Sequence, residues 1–278
     1  SSFTLGPSGS GKSTKTVQTM ILALKDFDKL VVDFKSELAP ILIEPLKKLG
    51  NDVKIINLGE QFPEQVGPSD EYNMFCLVVD CFEENNGLFE ITELLDELCE
   101  QVYPTPKGGK DNDQYFIDGT KRIISAAIQI NVLVDGPNAN LGQVLQMLNE
   151  RQILLKYLQW VTGRLKDSHG NNLPPMEIES SPWADKHSPQ ALKNYIAYFR
   201  TLCSGLLDLM ETPDSKSFES FITGAQQALS SFNITSLAYQ KIQRCTFRFS
   251  ELKEGRKPTT IFIMLDPNKV KAQAPVLG

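Results

Sequence analysis

Residues Gly6 to Ser13 read G-P-S-G-S-G-K-S. The pattern is a glycine, four residues, then Gly-Lys-Ser/Thr, the phosphate-binding loop. Glycines let the chain wrap with positive φ, so that backbone N–H groups converge on phosphate oxygens. The loop opens a helix, whose positive end faces the anion. Lys12 is placed to reach the β- and γ-phosphates, and the Ser13 hydroxyl to ligate Mg²⁺. The flanks fit the motif. Phe3-Thr4-Leu5 is a short β-like run, and Val17, Met20, Ile21 and Leu24 follow at helical spacing. A Gly/Ser-rich linker matching by chance is the competing reading, and these flanks oppose it. The motif predicts a nucleoside triphosphate site without saying which machine it serves.

The next residues extend an α/β pattern. Leu30 to Phe34 is an apolar run of the buried parallel-strand kind. Ser36 to Leu49 has helical periodicity, opposed by Pro40 and Pro45, and Val53 to Leu58 is a third strand. From Glu83 the period becomes helical: a stripe from Leu88 to Val102 with acids on its other faces, then Ile117–Val134, Asn140–Leu165, Ala191–Met210 and Phe218–Phe232. A polar stretch, Asp167 to Pro189, separates them. Thr259 to Leu265 returns to a buried strand pattern. The expected organisation is a nucleotide-binding core over 1–82, an inserted all-α domain over 83–235, and a return to the sheet over 236–278. Insertion through loops is structurally cheap.

Charge follows the same division. The 278 residues carry a net −6, distributed as −3 over 1–82 (8 basic, 11 acidic), −7 over 83–189 (9 basic, 16 acidic) and +4 over 190–278 (11 basic, 7 acidic). The five cysteines have neither zinc nor redox spacing, and their odd number with the nucleotide loop favours core thiols in a reducing compartment. No apolar run approaches a membrane span. The chain begins with Ser and the loop starts at residue 6, so a fragment of a longer protein is expected.

Several landmarks then fall in order: the phosphate loop; Asp33-Phe34-Lys35-Ser36-Glu37-Leu38; Ile55-Ile56-Asn57-Leu58; Tyr72-Asn73-Met74-Phe75; and, after the helical block, Gly255-Arg256-Lys257-Pro258-Thr259-Thr260-Ile261-Phe262-Ile263 and Pro275-Val276-Leu277. The chain resembles the VirD4/TraG family of type IV secretion coupling proteins over nearly its whole length. In that family's pattern Phe34 and Ser36 stand where Pro and Gly are usual, and Met74 where Pro is usual. The family's Walker B acids lie downstream of the P-T-T strand, beyond Gly278.

The resemblance implies a RecA-like P-loop NTPase sheet interrupted by an all-α domain, and an ATPase motor that drives DNA or protein–DNA transfer in conjugation. The fragment alone is expected to be poorly active. ATP and Mg²⁺ are the implied cofactors. Gly6, Pro7, Ser8, Gly9, Ser10 and Gly11 would supply the loop backbone. Lys12 would be catalytic, Ser13 would bind Mg²⁺, and Thr14 could contact the α-phosphate. The implied partners are single-stranded DNA, relaxase or effector proteins at the all-α domain, and further copies in a hexamer. The implied location of the intact protein is the cytoplasmic face of the bacterial inner membrane, anchored by segments outside this chain, the fragment itself being soluble. A nucleotide-binding adaptor without turnover and another P-loop ATPase of DNA packaging or transport are the alternatives. ABC transporter ATPases share the loop string, but Cys203-Ser204-Gly205-Leu206 lacks their signature.

Other residues have competing structural readings. Asp266 ends a hydrophobic run as a Walker B acid does, but Pro267 follows it and a turn-initiating Asp is preferred. Asp33, with Lys35 and Glu37, either lines the site at the sheet's C-terminal edge or starts a turn. The basic stretch 241–257 interleaves Tyr239, Phe247 and Phe249 with cations, as a DNA groove would; a solvated face beside core aromatics is preferred slightly. The acidic helix 83–102 could dock a basic substrate, though such a face is usually solvation. His169 and His187 have no partner at ligand spacing. Trp160 is expected in the core, and the role of Trp183 is open.

Overall fold

The computed structural model of the chain describes residues 16–84, 87–106, 111–178, 183–212, 216–249, 252, 257–266 and 268–269. The strand expected at 3–5 and the phosphate loop lie outside these residues. Two compact units are present. One joins the chain up to Tyr72 with the segment from Gln240, and the other runs from Asn73 to Tyr239.

The first unit is built on a parallel sheet of β1 (Lys29–Asp33), β2 (Asp52–Asn57) and β3 (Thr259–Met264), in the order β1-β3-β2. The middle strand comes from the far end of the chain. Its six residues are all buried, which is why the sequence reads as an unbroken apolar run instead of alternating. Leu30 and Lys54 lie beside Ile261, and Val32 and Ile56 beside Ile263. On the opposite face Ile55, Phe262 and Met264 pack against Ile21 of α1 (Gln18–Ala23) and Leu42, Ile43 and Leu46 of α2 (Ala39–Lys48).

Helix α2 begins three residues later than its periodicity suggests. Pro40 then falls in the first turn, where no N–H donor is needed. The outer edge of β2 is covered: Ile55 N–H donates to Asp70 Oδ2 at 2.8 Å, Asp70 N–H to the Ile55 carbonyl at 2.6 Å, and Asn57 N–H to Ser69 Oγ at 2.8 Å. Side chains thus occupy donors that would otherwise template another strand.

At the N-terminal edge of the sheet the ammonium of Lys29 donates to the carbonyls of Leu24 (2.8 Å) and Phe27 (2.6 Å) and to Asn51 Oδ1 (2.8 Å), which also accepts from Thr260 Oγ1 at 3.1 Å. Burial pushes the Lys29 pKa down, while Asp28 and Asp26 oppose the shift. Through Lys29 the end of α1 is tied to the start of β1.

The second unit is helical: α4 (Phe75–Glu83), α5 (Ile91–Val102), α6 (Asp111–Asp135), α7 (Leu141–Asn149), α8 (Arg151–Val161), α9 (Pro189–Glu211) and α10 (Lys216–Leu229). The short α3 (Pro63–Val66) belongs to the sheet unit. Helix α6 buries Ile123, Ile124, Ala127, Ile128 and Ile130 together with the polar Gln129 and Asn131. Asn131 Oδ1 accepts the N–H of Asn140, whose side chain and that of Gln143 form a capping box on α7. Ser188 caps α9 ahead of Pro189. A Cβ at Gly119 would come within 2.4 Å of the Phe221 ring, so the absent side chain is what lets α10 close on α6.

Cys81, Cys99 and Cys203 are buried free thiols. Burial pushes their pKa to about 11, about 12 and about 12 respectively. Cys76 and Cys245 are oxidised instead, a departure from the expectation of five core thiols. Among the described residues no helix is long and apolar enough to cross a membrane.

Candidate functional site

In a parallel α/β sheet ligands bind outside the carboxyl ends of the strands. Here Asp33 ends β1, Asn57 ends β2, and Leu265-Asp266 follows β3. The segment after β1 is held to the end of β3 by Leu265 N–H to the Asp33 carbonyl at 3.3 Å and Ser36 Oγ to the Leu265 carbonyl at 3.2 Å. Leu58 N–H donates to the Met264 carbonyl at 3.1 Å. In the loop after β2, Asn57 Oδ1 accepts the Gln61 N–H (3.0 Å) and its Nδ2 donates to the Gln61 carbonyl (2.7 Å). Gly59 lies against Asp266, where an added Cβ would stand 2.9 Å from the Asp266 Cβ and 3.0 Å from its backbone nitrogen.

These two loops also hold every described non-glycine residue with positive φ: Ser36 (53°), Glu60 (51°) and Phe62 (48°). Left-handed backbone costs an L-residue roughly 1–2 kcal/mol, and such strain concentrates at functional sites. Ser36 stands where the coupling-protein pattern usually has Gly, and its φ gives the reason a glycine suits that position.

Asp33 itself is resolved in favour of the structural reading. Its carboxylate accepts N–H groups from Glu37 (3.1 Å), Leu38 (2.8 Å) and Ala39 (3.0 Å), an anion against the first turn of α2. Lys35 and Glu37 are exposed beside it. Asp266 is likewise a turn residue: Oδ1 accepts Asn268 N–H at 2.9 Å and its carbonyl accepts Lys269 N–H at 2.9 Å. Among the described residues no group of three or more His, Cys, Asp or Glu side chains could hold a metal ion. Gly6, Pro7, Ser8, Gly9, Ser10, Gly11, Lys12, Ser13 and Thr14 lie outside the described residues.

Two of the three aromatics interleaved with the basic stretch, Phe247 and Phe249, pack on each other and on Tyr72. Phe247 is buried, and the rings of Tyr72, Phe247 and Phe249 lie 4.8–5.9 Å apart. Lys241 pairs with Glu60 at 3.6 Å, while Arg244 and Lys257 are exposed. Phe247 and Phe249 are therefore packing groups, and exposed cations remain near them in sequence. In the helical unit His187 Nε2–H donates to the Phe82 carbonyl at 2.8 Å, and Trp183 packs on the Phe82 ring, so both residues fasten the loop before α9. His169 is exposed. Trp160 is half-buried on α8, outside the core expected for it. The strained loop after β2 was missed from sequence, because neither Glu60 nor Phe62 is a residue type that marks positive φ.

A family model described as Type IV secretory system Conjugative DNA transfer matches residues 1–278. The chain belongs to that family. Its fold is α/β, a parallel sheet interrupted in sequence by a helical unit. Among solved structures the chain is similar to the bacterial conjugative coupling protein TrwBdeltaN70 in its unbound monoclinic form, at 13% identity and a TM-score of 0.51, covering 98% of this chain and 47% of that one. The trigonal form of the same protein in complex with sulphate matches at 12% identity and a TM-score of 0.39, covering 91% of this chain and 50% of the other. The chain spans about half the length of these solved relatives. No curated protein matches it.

Proposed function

We propose that the chain is the nucleotide-binding part of an ATP-driven motor that moves DNA, or a protein–DNA complex, in conjugative transfer. The observation that carries this reading is a conjugative DNA transfer match over 1–278 in a chain whose opening residues spell a phosphate loop. The Asp33 carboxylate accepts three backbone N–H groups and Asp266 Oδ1 accepts one, so this reading gives neither a nucleotide role and assigns the phosphate and Mg²⁺ contacts to the loop. Gly6, Pro7, Ser8, Gly9, Ser10 and Gly11 would hold the phosphates through backbone N–H groups. Lys12 would stabilise charge on the transferring phosphoryl group, Ser13 would ligate Mg²⁺, and Thr14 would meet the α-phosphate. ATP with Mg²⁺ supplies the phosphoryl group and its charge neutralisation.

We take the unit up to Tyr72 and from Gln240 as the motor core and Asn73 to Tyr239 as the inserted domain, which starts ten residues before the 83 expected from sequence. Charge suggests how partners divide. The sheet unit has 16 basic and 13 acidic residues, whereas the unit from Asn73 to Tyr239 has 12 basic and 21 acidic. DNA phosphates suit the first, with Arg244 and Lys257 exposed for them. A relaxase or effector protein suits the second. The intact protein would work as a hexamer at the cytoplasmic face of the bacterial inner membrane.

The test is ATP turnover by the intact protein with and without single-stranded DNA. Turnover that DNA stimulates supports the motor. Tight ATP binding without turnover in either condition would make the protein a nucleotide-binding adaptor.

A further inference from the structure

The helical unit carries a preformed apolar groove of about 730 Å³. One wall is a stripe on α8, Ile153, Tyr157 and Trp160, at positions i, i+4 and i+7. The other is Leu165, Leu173, Pro174 and Pro175. Such a stripe ordinarily packs into a core, but here a braced hairpin stands off from it. Leu173 N–H donates to the Leu165 carbonyl at 2.7 Å, and Lys166 and Asn172 form an antiparallel bridge. Asp167 Oδ1 closes the tip by accepting the N–H groups of His169 (2.8 Å) and Asn171 (2.9 Å). Beyond the prolines, Met176 N–H donates to the Trp160 carbonyl at 3.1 Å, pinning that wall to the end of α8. Arg164 at the hairpin's base is anchored to Asp208 at 2.6 Å.

We propose that this groove binds an extended, proline-containing segment of a partner protein flanked by lysine or arginine. Grooves lined by Trp, Tyr and Pro suit the polyproline II helix, which presents rigid pyrrolidine rings and loses little entropy on binding. The Tyr157 and Trp160 rings, 6.3 Å apart and tilted by 37°, offer adjacent faces for such rings. Charge selects against nucleic acid. A stacking platform for single strands needs a cationic track, yet among the described residues the lining holds one cation, Lys156, and one anion, Glu177, in a unit with nine more acidic than basic residues. The same excess favours basic flanks on a polypeptide. The occupant rests on the reading that the helical unit receives a protein partner; the selectivity of the groove can be measured without it.

Trp160 is one of two tryptophans, and the other, Trp183, packs on the Phe82 ring and is not part of the groove lining. Tryptophan emission of this chain would be titrated with a short synthetic Pro-Pro-x-Pro peptide with lysine flanks. Comparison probes are its glutamate-flanked form, its proline-to-alanine form and oligo(dT). The expected result is a saturable emission shift with the lysine-flanked proline peptide, weakened at least about tenfold by Tyr157→Ala and by Leu173→Ser. Far-UV spectra should be unchanged, and Lys48→Ala in the sheet unit should have no effect. Equal binding of the alanine form, binding of oligo(dT) that both groove variants weaken, or no shift at millimolar peptide would overturn the proposal. Stimulation of ATP turnover by DNA is scored separately, so failure of the groove leaves the motor reading standing.

Discussion

The hydroxyl of Ser36 donates to the carbonyl of Leu265 at 3.2 Å, joining the loop after β1 to the end of β3 across 229 positions of sequence. The two segments flanking the helical insertion are thereby fastened at the edge where an α/β sheet receives its ligand. Ser36 makes the contact from a left-handed backbone, φ 53°, while fully buried. A favourable bond and an unfavourable conformation coexist in one residue.

Substitution separates the two. Ser36→Ala removes the bond and keeps the strain, costing about 1 kcal/mol. Ser36→Gly removes both, and relief of roughly 1 kcal/mol should leave stability near wild type. Ser36→Val adds a β-branched side chain at positive φ and should cost on the order of 2 kcal/mol or more. Urea unfolding of the three variants should rank them Gly, Ala, Val from most to least stable. Valine tolerated as well as glycine would contradict the strain.

Asp33 caps α2, so Asp33→Ala should lower stability by about 1–2 kcal/mol, with a smaller loss for Asp33→Asn. Neither should change the affinity of the intact protein for Mg²⁺·ATP by more than about twofold. Calorimetric titration decides between a cap and a ligand: a folded Asp33→Asn protein that no longer binds nucleotide would return Asp33 to the site.

Gly59 leaves no room for a side chain beside Asp266. Gly59→Ala should push the loop after β2 from the end of β3 and cost about 1–3 kcal/mol. Gly50→Ala is the comparison. Its site is open but has φ 87°, so it should cost only backbone strain. Thermal unfolding should show the larger drop for Gly59→Ala.

Cys99 and Cys203 have thiols raised to about 12 from an ordinary 9.0. As pH rises past about 9 the unfolded thiols ionise first, so stability should be intact below pH 9 and fall as pH climbs toward 12. Both should resist a thiol reagent at pH 8 until denaturant is added. Labelling of either in the native protein at the rate of a free thiol would contradict their burial.

Much of the architecture is legible in the chain because burial writes itself into sequence. The all-buried β3 appears as Thr259–Leu265, and the long periods of α6 and α9 as their apolar stripes. Boundaries were set by local chemistry the period does not carry. Pro40 moved the start of α2, and Leu88 of the expected stripe lies in a short 3₁₀ turn, Gly87–Phe89, ahead of α5. At the sheet edge, Asp33 is ambiguous in sequence because a strand-end carboxylate suits a metal, a turn and a helix cap alike. Only the three converging N–H groups decide it. Trp160 misled because a large ring at helical spacing usually marks a core; the hairpin that keeps it half-exposed is closed by Asp167, a local hydrogen-bonding pattern with no hydrophobic signature.

The most direct measurement of the central claim is ATP turnover of the intact protein, with single-stranded DNA, in wild type, Lys12→Ala and Asp33→Asn. The account predicts DNA-stimulated turnover in wild type, its loss in Lys12→Ala, and its retention in a folded Asp33→Asn protein. Turnover that survives Lys12→Ala would contradict it.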